Sequence, residues 1–153
     1  MAGRVLAIFV ARAAGMPMRE IETVLAAEGR GLVPDRYASG GGAFSEARPT
    51  IRHVTLIAFE AIREANEKAA QKFEWSETRR NIITEWVDLN SLVGKDFRVG
   101  DALLRGVELA EPCERPSQLA RKPGFKEAFL NRGGLRAQVL RTGVISKGDL
   151  ILY

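Results

Sequence analysis

With one cysteine, one histidine, two tryptophans and two tyrosines in 153 residues, the sequence has few of the side chains on which most enzyme chemistry depends. Cys113 has no second cysteine to bridge to, so no intramolecular disulfide staples the fold, and the expected compartment is a reducing cytoplasm. The opening residues agree with that expectation, because no basic-then-apolar leader is present. His53 has neither a second histidine nor a cysteine pair beside it, which excludes the usual zinc spacings. No serine nucleophile elbow is present, and nothing near His53 or Cys113 supports a protease pair. Apolar runs stay well short of the roughly 20 residues needed to span a bilayer, so no membrane partner is expected.

What is present is a chain long enough to bury roughly 68–70% of the surface it exposes when unfolded, without staples. The net charge of +4 is modest, but it is unevenly placed. Between Glu114 and Arg141 stand seven basic residues (Arg115, Arg121, Lys122, Lys126, Arg132, Arg136 and Arg141) against two acidic ones, an excess of +5. This stretch follows directly on Cys113, so it is either a solvated basic face or a means of holding an anion, such as a phosphate, near the thiol. Exposed aromatics are not interleaved with these charges, which argues against a nucleic-acid surface.

Arg4 to Val10 is almost continuously apolar and partly β-branched, the pattern of a strand buried on both faces or set in a closed barrel. Pro17, Glu20 and Glu22 suit a first helical turn, and Ile21, Val24 and Leu25 recur at helical spacing up to Gly29, which predicts one short amphipathic helix. Pro34 to Tyr37, Ser39 and Gly40-Gly41-Gly42 read as loop. The triple glycine has neither the Lys-Ser/Thr ending of a P-loop nor the spacing of a dinucleotide fingerprint. Asp35-Arg36 sets a carboxylate beside a guanidinium, either to orient it towards a ligand or as a structural pair. Thr50 to Ile57 predicts a strand running into a helix that ends near Phe73. His53, in the strand half, is structural or faces substrate.

Arg79-Arg80-Asn81 leads into Ile82-Ile83-Thr84 as a strand, and alternation sends Arg79 and Arg80 to opposite faces, one towards a cavity and one towards solvent. Val87 to Val99 is a succession of short apolar runs with glycine and aspartate between them, as in compact strands and turns. Gly100-Asp101 and Gly148-Asp149 both predict hairpin-type turns. Cys113, in Glu111-Pro112-Cys113-Glu114-Arg115, lies where a strand leaves the sheet and ahead of a helix beginning near Pro116. Arg115 and the helix start favour a thiolate there and the two glutamates oppose it. A helix to about Lys122, a second carrying Phe125, Ala128, Phe129 and Leu130, a stop at Gly133-Gly134, and strands over 135–141 and 144–145 complete a barrel or α+β framework with helical excursions.

Taken in order, Asp35-Arg36-Tyr37, Val54-Thr55-Leu56-Ile57, Arg79-Arg80-Asn81-Ile82, Val87-Asp88-Leu89-Asn90, Leu92-Val93-Gly94, Phe97-Arg98-Val99-Gly100-Asp101, Glu111-Pro112-Cys113, Gly133-Gly134-Leu135-Arg136-Ala137 and Gly148-Asp149 resemble a stand-alone MOSC domain, the family named after the C-terminal domain of molybdenum cofactor sulfurase. The likeness spans essentially all of residues 1–153 as one domain. It implies a mostly β fold, a barrel akin to that of pyruvate kinase with a few decorating α-helices. It also implies that Cys113 is the family cysteine, which ligates molybdenum in the molybdopterin cofactor or carries transferable sulfur. Larger relatives such as the mitochondrial amidoxime-reducing component reduce N-hydroxylated compounds with this cofactor. The residues then expected to hold the anionic pterin are Arg79, Arg80, Asn81, Asp35 and Arg36. The expected partners are an electron-transfer protein or, in the carrier reading, a cysteine desulfurase. Two departures from the family pattern stand out: Val33-Pro34 precedes the Asp-Arg pair where glycine is common, and Trp86 precedes Val87 where glycine is frequent.

Overall fold

A computed structural model describes residues 2–38 and 53–153. The first strand, β1 (Gly3–Val10), shows why its sequence is apolar throughout. Val5, Ile8 and Val10 belong to one buried cluster and Ala7 and Phe9 to another, on the opposite side of the strand. A register shift between Val5 and Ala7 lets both Val5 and Ile8 face inward despite their odd spacing.

The remaining strands are β2 (Arg19–Ile21), β3 (Thr23–Ala27), β4 (Gly31–Val33), β5 (Val54–Ala58), β6 (Ile82–Glu85), β7 (Asp96–Val99), β8 (Ala102–Leu109), β9 (Leu135–Arg141), β10 (Gly143–Ser146) and β11 (Leu150–Leu152). Seven of them close a barrel in the order β1-β6-β5-β9-β8-β7-β11, with β11 returning to β1 at Gly3 and Arg4. Only the β5–β6 pair in this ring is parallel. β2 lies along the far end of β1, and β3, β4 and β10 form a separate three-stranded sheet. Phe97, Leu104, Leu56, Ile82 and Val139 fill the barrel interior. A small barrel packed in this way has no lumen for a ligand, so a binding site must lie on its outer wall.

Three short helices cover part of that wall: α1 (Phe59–Lys68), α2 (Arg115–Ala120) and α3 (Phe125–Ala128). Phe125 and Phe129 stack at 4.4 Å, and Phe73 meets both edge-on. This aromatic knot, with Ile57 and Ile83 from the barrel, anchors the chain that follows Cys113.

Several expectations need correction. The helix expected over 17–29 is instead β2 and β3: Val24 and Ala26 are buried while Thr23 and Leu25 are exposed, a period of two, and β3 is paired on both sides by β10 and β4. Tertiary pairing overrides a weak helical spacing here. The helix after β5 ends at Lys68, short of Phe73. The strands and turns expected after Val87 are a 3-10 turn over Leu89–Leu92 and the strand β7. Gly100-Asp101 does form the β7–β8 hairpin, whereas Gly148-Asp149 carries the chain from the small sheet into the barrel, since β10 pairs with β3 and β11 with β1 and β7. Residues 39–52, with the triple glycine, lie outside the described residues.

Candidate functional site

The site is built on the outer face of β5 and β9. Leu135, Ala137 and Val139 point into the barrel, so alternation turns Arg136 outward. Arg136 stands directly opposite Thr55 of β5 and Glu108 of β8. Its guanidinium pairs with Glu108 at 3.1 Å, while its Nε is buried with no hydrogen-bond partner among the described residues.

Thr55 is held by Asn81. The Asn81 side-chain oxygen accepts the Thr55 backbone N–H at 3.1 Å and the Thr55 hydroxyl at 3.2 Å, and its Nδ2 donates to the Phe9 carbonyl at 3.0 Å. The amide of Asn81 therefore locks β1, β5 and the start of β6 together, and it does not line the cavity.

The arginines before it are not on a strand. A 3-10 turn over Trp75–Thr78 ends with Arg79 in the left-handed region, at φ 65°. That turn breaks strand alternation, and Arg79 and Arg80 line the same cavity, contrary to the expectation of opposite faces. Arg79 donates to the Met16 carbonyl, and Arg80 Nε donates to the Gly133 carbonyl at 2.7 Å. Gly133 is itself constrained, because a Cβ there would meet the Ala110 carbonyl at 2.2 Å. This close approach fixes where the chain leaves β8, and hence where Glu111 and Cys113 stand.

Asp35 and Arg36 complete the far wall. Asp35 is fully buried and accepts the Ala11 N–H at 3.0 Å and the Tyr37 N–H at 3.2 Å. It pairs with Arg36 at 3.1 Å, and the Arg36 guanidinium lies 4.6 Å over the Tyr37 ring. Asp35 itself stays outside the cavity and orients Arg36, which lines it.

Among the described residues, Arg36, Arg79, Arg80, Arg115 and Arg136 converge on this cavity with Tyr37, Glu111 and the exposed Cys113. Burial, with Arg36 and Arg115 nearby, pulls Arg79 down to about 10; burial and Arg136 do the same to Arg80, with a partial offset from Cys113. Both stay cationic at neutral pH. Their lowered values record like charges gathered in a desolvated space, a situation that a bound anion relieves. The room between the side chains is about 50 Å3. Since one water centre needs ~10–15 Å3, the chamber takes a few waters or one small oxyanion.

The basic stretch after Cys113 is thus not one face. Arg115 and Arg136 enter the site, while Lys122 pairs with Glu77 and Arg132 with Glu64. Sequence reasoning had not singled these two arginines out from their neighbours, nor Tyr37 and Glu111 as lining residues. The alternation of β9 was the available signal for Arg136. His53 is not at the site: it is buried, and its Nδ1 accepts the Val139 backbone N–H at 3.1 Å.

The model of the MOSC domain matches residues 45–152, and the chain belongs to that family. Its fold is similar to that of the YUAD protein of Bacillus subtilis, with TM-score 0.81 and 18% identity over 100% of this chain and 97% of that one. YiiM from Geobacillus stearothermophilus superposes with TM-score 0.76 and 15% identity over 98% of this chain and 74% of its own. For YiiM from Escherichia coli the figures are 0.69, 18%, 99% and 69%. No curated protein matches the chain. Among the described residues no helix is long and apolar enough to cross a membrane.

Proposed function

We propose that the cavity holds the phosphate and metal-bearing end of the molybdenum cofactor and that the protein reduces N-hydroxylated compounds with it. The observation that carries this reading is the convergence of five arginines on the chamber lined by the sole thiol. A phosphate monoester brings a charge of about −1.5 to −2 at pH 7, and guanidinium forks match its oxygens in pairs. Arg36 is already held by Asp35 and stacked on Tyr37, so little freedom remains to be lost when it engages an anion. Arg136 offers a buried Nε that lacks an acceptor among the described residues. The Cys113 sulfur is the metal ligand in this reading. The fused rings of a pterin exceed about 50 Å3, so only the anionic and metal end is assigned to this chamber.

When bound, the cofactor supplies two-electron chemistry. Converting N–OH to N–H consumes two electrons and two protons and releases the hydroxyl as water. The electrons come from a separate electron-transfer protein. Among the described residues Glu111 is the one carboxylate in the lining, placed beside the reacting space where a proton can be passed. The test is the molybdenum and pterin content of protein made in a cofactor-competent host. Near-stoichiometric metal in the wild type, with reductase turnover lost in Cys113→Ser, is the expected result; wild-type protein free of metal and pterin refutes it.

The exposure of Cys113 and the small chamber favour a second reading, that of a sulfur carrier. A desulfurase persulfide would pass its outer sulfur to the Cys113 thiolate and be left as a thiol, so a single sulfur atom is all the chamber must accept. A persulfide mass increment on metal-free protein, discharged by a reductant, would select this reading.

A further inference from the structure

The size and charge of the arginine chamber suit a small free anion as well as the end of a larger one. The room between its side chains is about 50 Å3, space for a few waters. Five arginines meet there, and the carboxylates set against them are Asp35 on Arg36, Glu108 on Arg136 and Glu111 in the lining. Among the described residues the guanidinium groups thus outnumber these carboxylates by two before Cys113 ionises. A compact dianion balances that excess.

The thiol belongs to the same wall. Gly133, whose carbonyl accepts Arg80 Nε at 2.7 Å, also packs on Pro112, since a Cβ added to it would come within 3.2 Å of Pro112 Cδ. Arg80 and the residue before Cys113 are therefore fixed to one glycine, and Arg115 opens α2 two residues beyond the thiol. Phosphate and sulfate fit such a space but offer a thiol nothing to react with. Thiosulfate has the charge and shape of sulfate, with one oxygen replaced by a sulfur that a thiolate attacks.

We infer that Cys113 takes sulfur directly from thiosulfate seated among the arginines, a sulfurtransferase activity that needs neither a metal nor a desulfurase. The inference rests on the anion-binding reading of the chamber and on the persulfide of the carrier reading, whose protein donor it replaces by a small molecule. The Cys113 thiolate, its proton gone to solvent, attacks the outer sulfur. A sulfur–sulfur bond to Cys113 forms while that of thiosulfate breaks, and the electron pair leaves with sulfite, whose oxygens face the arginines. A cyanide ion then takes the outer sulfur from Cys113 as thiocyanate and returns the thiolate. The arginines offset the repulsion between two anions that must meet, so they act on this donor and not on an uncharged one.

The test is thiocyanate formation from thiosulfate and cyanide by the purified protein, with Cys113→Ser as the blank. Repeated turnover by the wild type, with an equal amount of sulfite released, is the expected result; no thiocyanate above the blank overturns the inference. Methyl methanethiosulfonate, an uncharged reagent whose sulfur the same thiolate attacks, gives a reference rate. Sulfate should slow the thiosulfate reaction of the wild type competitively and leave the reference rate within twofold, and absence of competition also overturns the inference. In Arg80→Gln and Arg136→Gln, each checked for a cooperative thermal transition, the ratio of thiosulfate rate to reference rate should fall at least tenfold. An unchanged ratio in folded variants overturns it as well. Failure of sulfate to bind in a calorimetric titration refutes the anion-binding reading itself. Sulfate binding without sulfur transfer leaves that reading standing, and a Cys113 persulfide formed by a cysteine desulfurase but not by thiosulfate leaves the carrier reading standing and removes this inference alone.

Discussion

Asn81→Ala separates a structural role from a binding one, because Asn81 lies next to two cavity arginines in sequence yet spends its side chain elsewhere. The substitution deletes three hydrogen bonds, two from Thr55 to the side-chain oxygen and one from Nδ2 to the Phe9 carbonyl. Asn81 and Thr55 are both buried, at 1% and 7% exposure, so water does not readily replace the lost partners. Each bond contributes about 1 kcal/mol net, and each buried group left without a partner costs about 1–3 kcal/mol. Relaxation around the smaller side chain recovers some of this, so the expected destabilisation is about 3 kcal/mol. For a chain of this size about 1 kcal/mol lowers Tm by roughly 2–4 °C, so Tm should fall by about 6–12 °C. Thermal unfolding gives the shift, and phosphate titration well below the lowered Tm gives the site. The variant should still bind phosphate within about threefold of wild type, since Thr55 is only displaced. A fall of under about 3 °C, or a folded variant that has lost phosphate binding more than tenfold, refutes the structural assignment.

Arg79→Ala and Arg80→Ala should each weaken phosphate binding at least fivefold in the same titration, because both line one chamber; a silent member of the pair would restore the alternating-strand picture. Cys113 should be alkylated rapidly in the native protein, with Cys113→Ser as the blank, and iodoacetate should gain on iodoacetamide relative to free cysteine because the arginines attract its carboxylate. That advantage should shrink with added salt, and insensitivity to salt would argue that the arginines do not act on reagents reaching the thiol. Burial lowers the His53 pKa from 6.5, so the unfolded state takes up the proton first; stability is fully present above about pH 6.5 and declines as pH falls below it. The urea midpoint of His53→Gln should decline less over pH 6.5–5, and parallel curves would refute the assignment. Trp86 sits at φ 62° with Arg4 4.8 Å over its ring, so Trp86→Gly exchanges ~1 kcal/mol of backbone relief for a cation–π contact of similar size. Chemical denaturation should place it within about 1 kcal/mol of wild type and place Trp86→Ala lower than Trp86→Gly.

The strands that were legible are those whose burial is written in their own residues. β1 has an apolar side chain for each of two cores, and β9 alternates Leu135, Ala137 and Val139 with outward residues, so both were found with nearly correct ends. β2 and β3 were not, because Ile21, Val24 and Leu25 fit a helical turn as well as they fit a strand, and only pairing with β10 and β4 decides between the two. The expectation of glycine where Trp86 stands has a physical reason in the positive φ at that position, a conformation glycine adopts without strain. Arg79 has a similar one that was missed: a left-handed residue ends a turn, and nothing in an Arg-Arg dipeptide announces it.

The site divides along the same line. Its arginines come from a loop, a 3-10 cap, a helix start and a strand, at positions 36, 79, 80, 115 and 136, and no local pattern links them. They meet because the parallel β5–β6 pair brings Asn81 beside Thr55, the β5–β9 register sets Thr55 opposite Arg136, and the Gly133 carbonyl receives Arg80. Each step is a consequence of barrel closure. Composition can therefore point to an anion near the thiol, and alternation along β9 can turn Arg136 outward, but which arginines meet the anion depends on the register between strands far apart in sequence and on where α2 begins after Cys113.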